Sequence, residues 1–224
     1  MSNNFVSKPR NLNLLIGVTG SVATIKLDEL IDGFVKKFIH INICIIATKN
    51  SLHFIEDFLK FNQKYPILQD RHKLLKSLDS QEPVIFSFSD EDEWSSWSKR
   101  NDPVLHIELR KWADVFLIAP LGANTLAKIS NGICDNLLTS VARAWDIENI
   151  NSKPVIVCPA MNTCMFKHPV TKTQLTILSD QFGFTIIDPI EKILMCGDSG
   201  IGAMAKTDDI IQKTYDFLKL KNLF

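Results

Sequence analysis

The sequence predicts an α/β fold: a single doubly wound, three-layer domain built around a parallel sheet. Three observations carry that expectation. Short, almost purely apolar runs recur along the chain, segments with helical spacing follow them, and Gly, Ser, Asn or Pro mark the junctions. Strand alternating with helix calls for parallel strands joined by right-handed crossovers. A chain of 224 residues, 46% of them hydrophobic, is long enough for one large core, and no internal repeat divides it. The expected domain therefore spans 1–224, with 1–10 as a short polar arm.

The elements follow in order. Residues 12–19, LNLLIGVT, read as a first buried strand, and GSVA leads into a helical pattern over 24–38. INICIIA (41–47) is a second strand, ended by the polar TKNS. The periodicity weakens between 59 and 83, which reads as an insertion. VIFSF then forms a short strand before SDEDEWSSW, a helix start where Ser89 or Asp90 can cap and carboxylates suit the positive end of the helix. Residues 114–119, DVFLIA, are a third core strand that Pro120 ends, and ANTLAKISNGICDNLLTSVARAW reads as one long helix despite Gly132. Residues 154–158 give a fourth strand, HPVTKTQLTILSDQF a helix, TIIDP a fifth strand and 207–219 a closing helix.

Composition excludes several roles. Lys+Arg and Asp+Glu are both 25, so the formal charge is zero, and no basic run supports nucleic-acid binding. No apolar segment approaches the roughly 18 residues a membrane span needs. The polar start MSNNFVSKPRN lacks an apolar signal core, and five cysteines at scattered spacings suit a reducing, cytoplasmic compartment. No CxxC pair or His/Cys cluster has metal-ligand spacing.

In such a sheet, ligands bind beyond the carboxyl ends of the strands, at a switch in strand order. The loops that matter are then GSVA, TKNS, PLGANT, PAMN and the segment after Pro189. In GVTGSVA, Gly20 permits a tight turn, while Ser21 and nearby amides suit an anion at a helix start; a purely structural turn fits equally well. It is neither GxGxxG nor a P-loop. Asn124 and Thr125 can cap a helix or meet a ligand's polar atoms. His106 is a partly buried structural histidine near a helix start, or else a general base or a carboxylate-orienting group. Cys196 lies in LMCGDSGIGAMA, where three glycines within six residues suggest a mobile loop or lid with close backbone approach, or a plain surface loop. Within VIVCPAMNTCMFKHP, Cys158 reads as a buried hydrophobe and His168 as a helix-start residue.

Several phrases occur together and in order: DEDEWSSW, DPVLHIELRKWAD, APLGANTLAKISNGICDNLLTSVARAWD, PAMNTCMFKHP and CGDSGIGAMA. On them the chain resembles the homo-oligomeric flavin-containing cysteine decarboxylases, from about Leu14 to the last helix, with 59–83 and IENINS as insertions against the family pattern. The resemblance implies a flavodoxin/Rossmann-like fold, FMN as cofactor, and a homotrimer with sites at subunit interfaces. It also implies decarboxylation of a small molecule, 4′-phosphopantothenoylcysteine, to 4′-phosphopantetheine in coenzyme A synthesis. The DPVLHIELRKWAD and CGDSGIGAMA phrases favour that substrate over peptidyl cysteine or flavin prenylation.

By the same resemblance, His106 is the catalytic histidine and Cys196 the cysteine that protonates the enethiol. Asn162 binds the substrate carboxylate, with Met165 beside it. Gly20, Ser21 and Val22 form the first flavin loop, Asn50 and Ser51 the second, and Ala160 lies against the ring system. Gly122, Ala123, Asn124 and Thr125 match a flavin loop that usually reads Ser-Ala-Asn-Thr, so one hydroxyl is missing here. Arg143 is a candidate partner for a phosphate. Other relatives are halotolerance proteins that inhibit a protein phosphatase and carry long acidic tails; the ending LKLKNLF does not match them.

Overall fold

A computed structural model describes residues 11–55, 64, 83–95, 97–193 and 199–223. The polar arm, most of the 59–83 segment and Cys196 lie outside the described residues.

Six parallel strands form the sheet: β1 (Leu12–Val18), β2 (Ile41–Ala47), β3 (Ile85–Phe88), β4 (Val115–Leu121), β5 (Val155–Pro159) and β6 (Thr185–Ile186). Their order is β3-β2-β1-β4-β5-β6, so the direction of winding reverses between β1 and β4. That reversal opens the crevice in which doubly wound sheets bind ligands.

The strands read as continuous apolar runs because both sheet faces are covered. On one face Leu14, Ile16 and Val18 pack with Leu30, Ile31 and Phe34 of α1 (Leu27–Lys37) and with Ile210 and Leu218 of α8 (Thr207–Leu220). On the other, Leu15, Ile46, Phe86, Phe116 and Ile118 meet helices α3 to α5, while α2 stands outside this cluster. These helices are α2 (Asp90–Ser95), α3 (Leu105–Trp112), α4 (Ala123–Ser130) and α5 (Leu137–Ala144). Leu109, Trp112, Leu126, Leu138 and Val141 are among the side chains that α3, α4 and α5 bury. Each such side chain contributes about 1.5–3 kcal/mol on burial, so Phe34→Ala, at 0% exposure, should cost about 3–5 kcal/mol.

The structure departs from the sequence reading at four places, each with a local cause. First, β4 runs through Pro120 to Leu121; its pairing with β5 shifts register between Ile118 and Leu121, so the missing proline N–H falls where the ladder is already interrupted. Second, the long helix is two helices. Gly132 takes φ +73° just past the end of α4, and Asn136 restarts the chain as α5 with a capping box, accepting from Thr139 N–H at 2.9 Å. Third, α1 begins as a 3-10 turn over Val22–Lys26. Fourth, the glycine-rich segment contributes a strand: β7 (Ile190–Ile193) and β8 (Ser199–Ala203) pair antiparallel as a small second sheet. Two short helices after β5, α6 (Thr163–Lys167) and α7 (Pro169–Thr176), complete the fold.

Candidate active site

Three loops meet at the β1/β4 crevice. After β1, Thr19 Oγ1 donates to Pro120 O and accepts from Gly122 N–H, both at 2.8 Å, which stitches the first loop to the third. Gly20 backs onto the second loop: a Cβ there would lie 2.7 Å from Asn50 Cβ, so no larger residue fits without displacing that loop. Ser21 caps the 3-10 turn, its Oγ accepting from Ala23 N–H at 3.3 Å. Gly122 precedes α4 without a side-chain cap, so the first-turn N–H groups have no intrahelical acceptor and no capping oxygen.

A cavity of about 500 Å³ opens between these loops. Of the sequence-predicted residues, Gly20, Ser21, Val22, Asn50, Gly122, Ala123, Asn124, Thr125, Ala160, Asn162 and Met165 line it. A second cavity of about 580 Å³ shares Ser21, Val22, Ala160, Met161 and Asn162 with the first, and the β7–β8 hairpin and the start of α8 form its far side. Both volumes suit small-molecule sites, roughly 300–1,000 Å³.

Asn162 sits on the wall between the cavities as the cap of α6, its Oδ1 accepting from Cys164 N–H at 2.8 Å. That bond orients the amide: the carbonyl oxygen is committed to the helix, and the opposite group, NH2, can only donate. The hairpin presses on the same loop. Met161 N–H donates to Gly202 O at 2.9 Å, and a Cβ on Gly202, whose φ is +142°, would lie 2.4 Å from Met161 O. The close backbone approach expected of the glycines is therefore present, delivered by a strand.

Other predicted residues fall elsewhere. Ser51 turns inward, donating to Thr48 O at 2.6 Å, and does not line the cavity. Arg143 lines a separate pocket of about 50 Å³ beside Gly132. Cys158 is fully buried and burial pushes its thiol far up, so it is no nucleophile. His168 caps α7, Nδ1 accepting from Val170 N–H at 3.2 Å. His106 is not among the described residues lining either large cavity. It stands at the start of α3, Nδ1 2.6 Å from Glu93 Oε1.

The sequence reading missed Thr19, Thr48, Lys49 and Asp90, which also line the first cavity. Thr48 Oγ1 is buried with no hydrogen-bond partner. Asp90 accepts from Leu137 N–H at 2.9 Å and from Lys49 N–H; burial raises its carboxyl above the ordinary value, and those bonds act against the rise. The signal for Thr48 and Lys49 was present, since both stand in TKNS at a strand end, but the expectation settled on the two residues after them.

A flavoprotein family model matches residues 3–219. Phosphopantothenoylcysteine decarboxylase of Mus musculus is 42% identical over 210 residues, 92% of this chain and 87% of that protein. An Arabidopsis thaliana protein of the same name is 46% identical over 198 residues, 88% of this chain and 81% of its own. Among solved structures, a mutant PPC decarboxylase complexed with pantothenoylaminoethenethiol is 44% identical with a TM-score of 0.75, covering 94% of this chain and all of that one. The FMN binding protein AtHal3 is 44% identical with a TM-score of 0.73, over 94% and 98% of the two chains. Loop geometry, family model and relatives agree: this chain belongs to the flavoprotein family, within its phosphopantothenoylcysteine decarboxylase group.

Proposed function

We propose that the crevice is the active site of an FMN-dependent decarboxylase of coenzyme A synthesis, which converts 4′-phosphopantothenoylcysteine to 4′-phosphopantetheine and CO2. The observation that carries this reading is the position of Asn162, its amide oriented by the α6 cap, on the wall shared by two cavities of cofactor and substrate size.

The residues present fit FMN. The first cavity offers uncapped N–H groups at the start of α4, the Gly20–Val22 turn and the buried, unpaired Thr48 hydroxyl, a donor set suited to a phosphate and a polyol. The hydroxyl is absent at Gly122, whose own N–H is committed to Thr19 Oγ1, and a serine Cβ there would come within 3.2 Å of that oxygen; the later N–H groups of the first turn of α4 remain for the ligand. Bound FMN supplies the oxidation of the substrate's thiol end that makes loss of CO2 feasible, and the hydride that closes the cycle.

The chain's own residues bind and move protons. Asn162 NH2 donates to the substrate carboxylate, and Met165 flanks it. His106 accepts a proton as the general base, and Cys196 returns one to the enethiol intermediate. The ligand of the related structure, an aminoethenethiol, is what a site of this chemistry would hold at that last stage. The second cavity, behind the hairpin, takes the pantothenoyl arm.

The working form is a homotrimer in which a neighbouring subunit brings His106 to the cavity. Two features support it: His106 lies off both cavities, and large apolar side chains stand exposed on α2 and around Asn162, among them Trp94 at 82% and Met165 at 49%. The enzyme works in the reducing cytoplasm, in keeping with the four described cysteines, all of them free. Among the described residues, no helix is long and apolar enough to cross a membrane. Flavin-loaded protein incubated with 4′-phosphopantothenoylcysteine should release CO2 and form 4′-phosphopantetheine in equal amounts. Loaded protein that gives neither product sinks the reading.

A further inference from the structure

We propose that Glu93 is the positioning residue of His106, fixing which ring nitrogen carries the proton; the proposal rests on the reading of His106 as the base. Four carboxylates make up the acidic stretch 90–93, and the structure gives three of them separate work. Asp90 holds Leu137 N–H. Asp92 holds the Ser89 N–H and hydroxyl at 2.7 and 2.8 Å. Glu93, on the last turn of α2, reaches across to α3 and grips His106 at two points. Oε2 accepts from the His106 backbone N–H at 3.1 Å, and Oε1 lies 2.6 Å from Nδ1.

The two contacts have different consequences. The first caps α3, whose N-cap residue Val104 supplies no side-chain bond, and places a negative charge at the positive end of that helix. It also anchors the carboxylate to the backbone of the residue whose ring it holds. With one oxygen pinned to the helix, the other has little freedom, so the imidazole plane is set by the fold and not by solvent. An ionised carboxylate is acceptor-only, so when the ring is neutral, as a base must be, the 2.6 Å contact places its proton on Nδ1. Nε2 then carries the lone pair, on the ring edge away from Glu93. The burial gradient agrees: the Glu93 side chain is 11% exposed and that of His106 26%. The orienting group lies inside and the imidazole lies outside it, as a base presented to a ligand beyond its own subunit requires. A cap alone needs one oxygen; the second contact is what points to positioning.

Glu93→Gln separates the two roles. The glutamine oxygen still accepts one N–H, but its amide can also donate to Nδ1 and so favour the Nε2–H tautomer. The expected result is unchanged flavin absorbance, KM within about twofold, and kcat reduced on the order of 10²–10⁴-fold. Nitrogen-15 spectra of histidine-labelled, flavin-loaded protein should show His106 protonated at Nδ1 in the parent and at Nε2 in the variant. A variant with kcat within twofold of the parent overturns the proposal, as does one that only melts earlier. His106→Asn distinguishes the two levels. If it turns over normally, the base assignment falls, while the spectra still decide the tautomer. If Glu93→Gln does not fold, the parent spectrum decides alone, and a neutral His106 protonated at Nε2 refutes the proposal.

Discussion

The two ends of the same strands treat buried polar groups in opposite ways. At the amino end of the sheet, Asn13 and Asn42 are almost fully buried, and each polar group named here has a partner. Asn42 Nδ2 donates to Asn13 Oδ1 at 3.0 Å, Asn13 Nδ2 donates to Trp112 O at 3.1 Å, and Asn13 N–H donates to Asp114 Oδ2 at 2.9 Å. At the carboxyl end, Thr48 Oγ1 is buried without a partner, and the helix that starts at Ala123 lacks a side-chain cap. A buried polar group left unpaired costs about 1–3 kcal/mol. The asparagine cluster at one end is therefore closed by its own chemistry, although Trp112 Nε1 beside it is buried without a partner, and the other end is left for a ligand to complete. The first end is structural, and the second holds the proposed site.

Substitutions at the two ends should separate on two axes, stability and cofactor affinity. The largest effect on stability belongs to the closed end. Asn13→Ala removes the bonds that the Asn13 side chain makes to Asn42 Nδ2 and to the Trp112 carbonyl and should cost about 2–4 kcal/mol in denaturant unfolding. Flavin affinity of the folded protein should not move; a loss of affinity would erase the division. Gly20→Ala acts at the open end. Its methyl group would press on Asn50 Cβ from 2.7 Å, spreading the first two loops, so FMN should bind about tenfold more weakly while stability falls by about 1 kcal/mol. Thr48→Val is the finest probe. Removing a hydroxyl that has no protein partner should leave unfolding unchanged or slightly harder, yet weaken FMN about 2- to 10-fold in fluorescence titration. A destabilised variant with unaltered affinity would show that the hydroxyl serves the fold.

Much of this was legible in the sequence because its cause is local. Strands β1 and β2 stood out since burial on both faces leaves uninterrupted apolar runs, and the crevice loops followed from strand ends alone. The resemblance then named residues, and eleven of them line one cavity. What was missed depends on distant partners. Thr19 matters because it bridges to Pro120 and Gly122, about a hundred positions away, and no local pattern encodes that. Ser51 looked like a cofactor ligand but turns in to hold Thr48 O. The break after Ser130 was written in Asn131 and Gly132, but the helical periodicity on both sides outweighed it. The hairpin escaped notice because β8, Ser199–Ala203, carries two glycines, which lower strand propensity while permitting contact with Thr163 and Met161.

The most direct test lies in one residue that joins both themes. Asn162 caps α6 with its oxygen, and in this account meets the substrate carboxylate with its NH2. Asp is as good a cap as Asn, so Asn162→Asp keeps the fold but replaces a donor with a second negative charge. Rapid-mixing measurement of CO2 release by the flavin-loaded variant should show a fall on the order of 10²-fold or more, with the melting temperature moved by no more than about 2 °C. Release at the parent rate from the Asn162→Asp protein would mean that the carboxylate is held elsewhere and that the wall between the two cavities is not where decarboxylation occurs.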